Sequence, residues 1–94
     1  MLKVSEIVER ANILKRLKSL VSDNWNLELT GSDKNILRCV SKLGNRISIY
    51  NYTDIDIEKT KHYPGLGHVD IQFNIFTRGI SVHLNDNGTV YIFT

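Results

Sequence analysis

Paired cysteines and long apolar runs are both missing from this sequence. Cys39 is the only cysteine, and its position among apolar residues predicts a buried free thiol in a reducing compartment. A signal peptide needs about 7 to 15 consecutive apolar residues and a membrane-spanning helix about 20, and no run approaches either length. We therefore expect a cytoplasmic protein without membrane association, located in the host cytoplasm if a phage encodes it.

An excess of charge of one sign is missing too. The chain has 12 Lys and Arg against 10 Asp and Glu, a formal net charge of +2, which lacks the strongly basic signature of a dedicated nucleic-acid binder. Hydrophobic residues make up 41% and charged residues 23% of the 94 positions, close to the globular average. This composition predicts one folded domain over residues 1–94 that needs neither a disulfide nor a structural metal.

Apolar residues recur with a helical period only in residues 4 to 21. The stripe predicted to face the core contains Val4, Ile7, Val8, Ala11, Leu14 and Val21. Ile13, Leu17 and Leu20 form a second apolar ridge at spacings of four and three residues. We expect another surface to cover this second ridge, and a homodimer formed through it is one candidate.

The rest of the chain alternates with a period of two, which is typical of strands. The predicted strands lie near residues 25–30, 36–43, 46–52, 69–75, 80–84 and 89–93, with a hairpin turn at Gly44-Asn45. Together, the predicted helix and strands indicate an α+β fold in which one N-terminal amphipathic helix packs on an antiparallel sheet of five to six strands.

The last hairpin has a predicted register. A three-residue turn at residues 86–88, with its glycine in the left-handed region, puts Val90 and Ile92 on the same face as Val82 and Leu84. A two-residue turn would mix apolar and polar residues on each face.

Histidines occur in and after the long segment between Thr53 and His68. His62 and His68, with Asp70, are residue types that bind transition metals. The Pro64-Gly65-Leu66-Gly67 stretch between the histidines is more simply a turn. We therefore expect neither a metal nor another cofactor.

The same residues suit a metal-independent ribonuclease. His62 or His68 would act as the base and His83 as the acid, and Lys61 or Arg78 would neutralise the phosphate. The simpler alternative is a set of exposed strand histidines and loop lysines with a structural role.

A basic hairpin followed by tyrosines offers a second surface for nucleic acid. Arg38, Lys42 and Arg46 precede Tyr50 and Tyr52, a composition found in nucleic-acid platforms. Strands also commonly present such residues to solvent, and a solvated sheet face is the alternative.

Three carboxylates alternate with isoleucines at residues 54–58. In an extended segment Asp54, Asp56 and Glu58 would project from one side at intervals of about 6.6 Å, close to a phosphate repeat. Such a row could occupy a basic groove on another protein. Protection of a sheet edge against pairing is the alternative.

Residues 24–35, which read NWNLELTGSDKN, follow a short helix and precede the GNRISI of residues 44–49. This arrangement resembles the opening helix and three-strand meander of small phage anti-CRISPR proteins of the kind that block Cas9. The resemblance implies a small cytoplasmic protein that acts by occupying the surface of another macromolecule.

No catalytic motif competes with this interpretation, so the sequence predicts a non-enzymatic protein-binding inhibitor of the phage anti-defence or toxin-immunity type. Its expected partner is a nuclease or CRISPR effector. The residues predicted to bind this partner are Tyr50, Tyr52, Asp54, Asp56, Glu58 and Tyr63. The alternative is a small ribonuclease or RNA-binding module that uses His62, His68 and His83.

Overall fold

A computed structural model describes residues 2–74 and 79–94 of the chain. Within these residues the fold contains one α-helix and seven strands. The elements are α1 (Val4–Leu20), β1 (Trp25–Thr30), β2 (Ile36–Ser41), β3 (Arg46–Ile49), β4 (Lys61–Tyr63), β5 (His68–Gln72), β6 (Ser81–Asn85) and β7 (Val90–Phe93). The predicted α+β class is therefore confirmed.

The prediction of one sheet is wrong, because the described strands form two antiparallel sheets in the orders β1-β2-β3 and β4-β5-β6-β7. The chain leaves the first sheet after Ile49. It then forms a 3₁₀ turn, Tyr52–Asp54, and a second turn in which the Thr60 backbone N–H and hydroxyl both donate to the Asp56 carbonyl. Thr60 is fully buried, and these local bonds keep the segment from extending β3 or pairing beside it.

One core joins the helix and both sheets. From the first sheet it takes Trp25, Leu27, Leu37, Cys39 and Ile49, from the second Val69, Ile71, Val82 and Leu84, from the helix Ile13 and Leu17, and from the connecting segment Tyr52 and Ile55. Alternation along each strand sends these side chains inward and their neighbours outward. The predicted burial of Cys39 is confirmed.

The helix face that packs on this core overlaps the predicted face only in part, since Leu14 and Val21 of the predicted stripe do pack against the core. Ile13 and Leu17 are buried and Leu20 packs partly against the core, whereas Val4 of the predicted stripe is 77% exposed and Ile7 and Val8 are half-exposed. The buried arc is centred on Leu17, whose neighbours one turn away are all branched aliphatic residues with more apolar surface than the Ala11 of the predicted stripe. The second ridge is therefore covered by this chain's own core, and the buried Ile13 and Leu17 have little surface left for the predicted homodimer contact.

The last hairpin follows its predicted register, and the predicted hairpin at Gly44-Asn45 forms with a register that was not predicted. Leu37 pairs with Ile49 across the turn at Gly44, and Leu84 pairs with Val90 and Val82 with Ile92. Gly88 has φ +92°, and its N–H donates to the Asn85 carbonyl. The three-residue turn is thus confirmed, whereas Ile75 of the predicted strand at residues 69–75 lies outside the described residues.

The β6–β7 turn, residues 85–89, holds the two sheets together. The indole N–H of Trp25 donates to the Asn85 carbonyl at 2.6 Å. The side chains of Ser22 and Asn24 both donate to the Asp86 carbonyl, at 2.8 and 2.7 Å. We call these residues, 85–89, the clasp, since each of these donors precedes or begins the first sheet.

We expect substitution of the clasp glycine to be costly. A Cβ on Gly88 would lie 3.3 Å from side-chain atoms of Ser41 and Leu43, whereas a Cβ on Gly44, at a similar φ of +88°, would have nothing within 4 Å. Gly44→Ala should therefore cost about 1 kcal/mol in the free energy of unfolding, the backbone term alone. Gly88→Ala should cost about 2 kcal/mol or more, because the packing conflict adds to that term.

Urea denaturation of the two variants measures this difference. Equal losses of stability in both would contradict the close packing of the clasp against the β2–β3 turn.

Burial of the Cys39 thiol generates a pH prediction. Burial raises the pKa of Cys39 from 9.0 to about 12, so the unfolded chain loses this proton at a pH where the folded chain keeps it. Above about pH 9 the unfolded state binds fewer protons, and the free energy of unfolding must fall as pH rises. We expect a loss of about 1 kcal/mol from this group between pH 8 and pH 10.

Cys39→Ala is the matched control, because it keeps every other titrating group. Urea midpoints of both proteins at pH 8 and pH 10 should show a steeper decline for the parent chain. Parallel declines would mean that the thiol is accessible to solvent in the folded protein.

Candidate functional site

The outer face of the four-stranded sheet carries most of the polar and aromatic residues that the strands β4–β7 contain. Val69 and Ile71 of β5 point into the core, so alternation places His68 and Asp70 on the opposite face. The registers of the neighbouring strands align further residues with this face. They are Lys61, Tyr63, Gln72, Ser81, His83, Asn85, Tyr91 and Phe93.

Four rings cross this face in one diagonal row, one ring from each strand. Tyr63 and His68 are direct cross-strand partners, and their ring centroids are 6.0 Å apart. The His68 and His83 rings are stacked, with centroids 4.0 Å apart and planes 12° apart. His83 and Phe93 follow at 4.6 Å. We call Tyr63, His68, His83 and Phe93 the ring row.

One carboxylate lies beside the ring row. Asp70 pairs with His83 across the β5–β6 ladder, and its Oδ1 lies 3.3 Å from His83 Nε2. Both oxygens of Asp70 also accept from Gln72 Nε2 at 2.8 Å. Asp70 therefore fixes one side of the His83 ring, and the cationic Lys61 is its cross-strand partner on β4.

The ring row is open to solvent at its ends and enclosed at its centre. Phe93 is 48% exposed and Tyr63 is 40% exposed, whereas the His83 side chain is only 21% exposed. Tyr91, beside Phe93 on β7, adds a further exposed ring at a centroid distance of 6.5 Å. The face thus presents aromatic area around a more protected pair of imidazoles.

The three predicted histidines do not converge on one point. His62 is the partner of Val69, so its side chain lies on the inner side of the sheet, where its Nε2 is 3.1 Å from both oxygens of Asp86. This contact anchors β4 to the clasp. His62 therefore serves the fold, and only His68 and His83 share a surface.

The stacked geometry is unsuited to the predicted ribonuclease chemistry. A base and an acid that act on a phosphodiester must lie on either side of the phosphate, and rings 4.0 Å apart leave no gap for it. Lys61 lies on the same face, and Arg78 lies outside the described residues.

The interpretation of His62, His68 and Asp70 as metal ligands is not supported by their placement. His62 and His68 lie on opposite faces of the sheet. Within residues 2–74 and 79–94, no three His, Cys, Asp or Glu side chains come together where they could hold one metal ion.

The predicted acidic row does not form, because residues 54–58 are not a continuous strand. Asp54 ends a 3₁₀ turn, and Asp56 begins the next turn, where its carboxylate accepts from the Lys59 N–H. Ile55 between them makes only an isolated bridge to Phe73. Glu58 is exposed within that second turn. The predicted phosphate-like spacing of the three carboxylates required an extended backbone, and residues 54–58 form turns instead.

The predicted tyrosines separate in the structure. Tyr52 is only 1% exposed, its hydroxyl donates to the Lys34 carbonyl at 2.6 Å, and burial raises its pKa. It cannot bind a partner in this state. Tyr50 is exposed next to β3, and Tyr63 belongs to the ring row on the other sheet, so the two do not form one patch.

The basic residues of the β2–β3 hairpin lie on a solvated sheet face, which was the alternative to a nucleic-acid platform. Arg38 forms an ion pair with Glu28 on the outer face of the first sheet, where the two are cross-strand partners. Lys42 and Arg46 are exposed at the β2–β3 turn. With Tyr52 buried, these cations have no adjacent pair of rings on which bases could stack.

The ring row itself was not predicted as a unit. The sequence indicates it only through alternation, since alternate residues of a strand share a face. His68 and Asp70 share one face of β5, and Tyr91 and Phe93 share one face of β7. The β6 pairings bring these two faces side by side. The place of Tyr63 in the row depends on β4, a three-residue strand with no alternation of its own to reveal it.

Comparisons with protein-family models, with curated proteins and with solved structures found no match to this chain. None of the helices in the described part of the chain is long and apolar enough to cross a membrane.

Proposed function

We propose that this protein is a small binding inhibitor, of the phage anti-defence or toxin-immunity kind, that occludes a nuclease or a nucleic-acid-binding effector. The observation that carries the proposal is the ring row with Tyr91 beside it. This surface comes from the structure. The class of partner comes from the resemblance of residues 24–35 and 44–49 to anti-CRISPR proteins.

The composition of the face supports a protein partner. The centres of protein interfaces are rich in Tyr, Phe and other rings and poor in charged residues, and a few such anchors dominate affinity. Tyr63, Phe93 and Tyr91 provide ring anchors on rigid strands, which lose little conformational entropy on binding. Both oxygens of the Asp70 carboxylate already accept hydrogen bonds from Gln72, so its burial by a partner would not leave it without hydrogen-bond donors.

A single-stranded RNA is the second candidate ligand, and the spacing of the rings favours it. Aromatic rings on an open sheet face are the usual platform on which unpaired bases stack. The ring centroids of the row follow one another at 6.0, 4.0 and 4.6 Å. Lys61 would supply positive charge near the phosphates, and binding would then weaken with salt.

A variant without the two exposed rings of the row tests the proposal. We expect Tyr63→Ala with Phe93→Ala to weaken binding of the partner by tenfold or more, since interface anchors of this type contribute about 1 to 3 kcal/mol each. Tyr50→Ala is the matched control, because Tyr50 is an exposed tyrosine next to the other sheet. It should change the affinity by less than about twofold.

The measurement is affinity capture of the tagged chain from cells that carry a CRISPR nuclease or a toxin nuclease, with and without added RNase. Titration of the purified partner, or of a 12-nucleotide RNA, follows. A stoichiometric protein that survives RNase and is lost from the double variant agrees with the inhibitor proposal. Recovery of RNase-sensitive RNA favours the second candidate, and full capture by the double variant rules out the ring row as the working surface.

A further inference from the structure

We propose that two copies of this chain pair through β7, antiparallel to each other, so that two four-stranded sheets become one sheet of eight strands. In the described part of the chain β7 pairs with β6 on one side and with no strand on the other. This inference is independent of the proposed function. It concerns the free edge of the sheet that carries the ring row.

The β7 edge is short, with four residues, but it lacks the other features that keep edge strands from pairing. These features are charged residues and proline. The other three edge strands each carry a charge: Glu28 on β1, Arg46 on β3 and Lys61 on β4. The β7 residues are Val90-Tyr91-Ile92-Phe93, with no charge and no proline, and the last three are 59%, 59% and 48% exposed.

The free hydrogen-bonding groups of this edge can be assigned. Asn85 and Thr89 form a hydrogen-bonded pair, since the Asn85 N–H donates to the Thr89 carbonyl at 2.8 Å. Bonded and non-bonded pairs alternate along an antiparallel ladder. Tyr91 therefore bonds back to β6, and the N–H and C=O groups of Val90 and Ile92 point away from the sheet.

This alternation restricts the register of a two-fold pair. Val90 and Ile92 must lie opposite residues of the same parity in the second copy, because only those residues offer outward N–H and C=O groups. Tyr91 must then lie opposite Tyr91 or Phe93 of the second copy. Either register puts rings side by side on the outer face, so the two ring rows become one continuous aromatic surface.

Self-complementarity favours a second copy as the occupant. Cross-strand aromatic and aliphatic pairs stabilise a ladder, whereas like charges opposite each other would destabilise it. A two-fold β7 pair contains aromatic and aliphatic cross-strand pairs and no pair of like charges. The exposed parts of the three side chains are on the order of 100 Å² each, so the contact is smaller than a standard stable interface. We therefore expect a weak dimer, with a dissociation constant on the order of 100 µM.

Two measurements on the intact chain test the pairing. In sedimentation equilibrium the mass should rise from 10.8 kDa toward twice that value as the concentration increases from about 20 µM to about 1 mM. Over the same range, amide hydrogen exchange at Val90 and Ile92 should slow by about three- to fivefold. Tyr91 and Phe93, whose N–H groups bond to β6, are internal controls and should slow less.

Ile92→Lys places like charges near each other across the two-fold axis and should remain at the mass of one chain at every concentration. Ser48→Lys adds the same charge to an exposed position of the β3 edge and should dimerise like the parent. Circular dichroism confirms that both are folded. The proposal is overturned if the parent stays at 10.8 kDa with exchange independent of concentration, or if folded Ile92→Lys still dimerises. The proposal is also overturned if the Val90 and Ile92 amides become protected only after addition of RNA or another protein, because that ligand and not a second copy would then occupy the β7 edge.

Discussion

The clasp, residues 85–89, is the constraint on which the arrangement of both sheets depends. Its carbonyl groups accept hydrogen bonds from two neighbouring parts of one end of the first sheet. The Trp25 indole donates from the start of β1, and the Asn45 amide at the β2–β3 turn donates to the Gly88 carbonyl at 2.8 Å. A carbonyl buried without a partner would be costly, and these donors remove that cost. The turn therefore tolerates the burial of Gly88 and the partial burial of Asn85 and Asp86, which loops rarely do.

The clasp also explains why the ring row lies on an exposed face of the second sheet. Asp86 holds β4 through His62, and its N–H donates to the Gly67 carbonyl at the start of β5. All these bonds are made on the inner side or at the end of the second sheet. The outer face makes no contribution to the joining of the sheets, so its rings and its β7 edge remain available.

Those features of the fold that depend on local sequence could be predicted. The register of β6 and β7 follows from Gly88 alone, because a three-residue turn with a left-handed glycine is the one that keeps Val90 and Leu84 on one face. The helix face could not be assigned so simply. The predicted stripe and the buried arc centred on Leu17 have Leu14 and Val21 in common, and only packing against β1 and the Tyr52–Asp54 turn selects the buried arc.

The site could be predicted only in part, because it is assembled from pairings that alternation does not encode. His68 and His83 are recognisable as candidate residues, yet they touch because they are diagonal neighbours across β5 and β6. Tyr52 shows the reverse case. Its sequence neighbours are polar, but a hydroxyl bond to the Lys34 carbonyl allows the whole ring to be buried. Aromatic residues in turns are thus assigned correctly only when their long-range partners are known.

Hydrogen exchange of the Trp25 indole N–H tests most directly whether the clasp joins the two sheets. If the clasp joins the two sheets into one cooperative unit, this N–H should exchange with solvent only through global unfolding, at the same free energy as the backbone amides of Val69 and Ile71 in β5. Exchange of the indole at the rate of a free tryptophan, while those amides stay protected, would show that the sheets separate independently and would contradict the account.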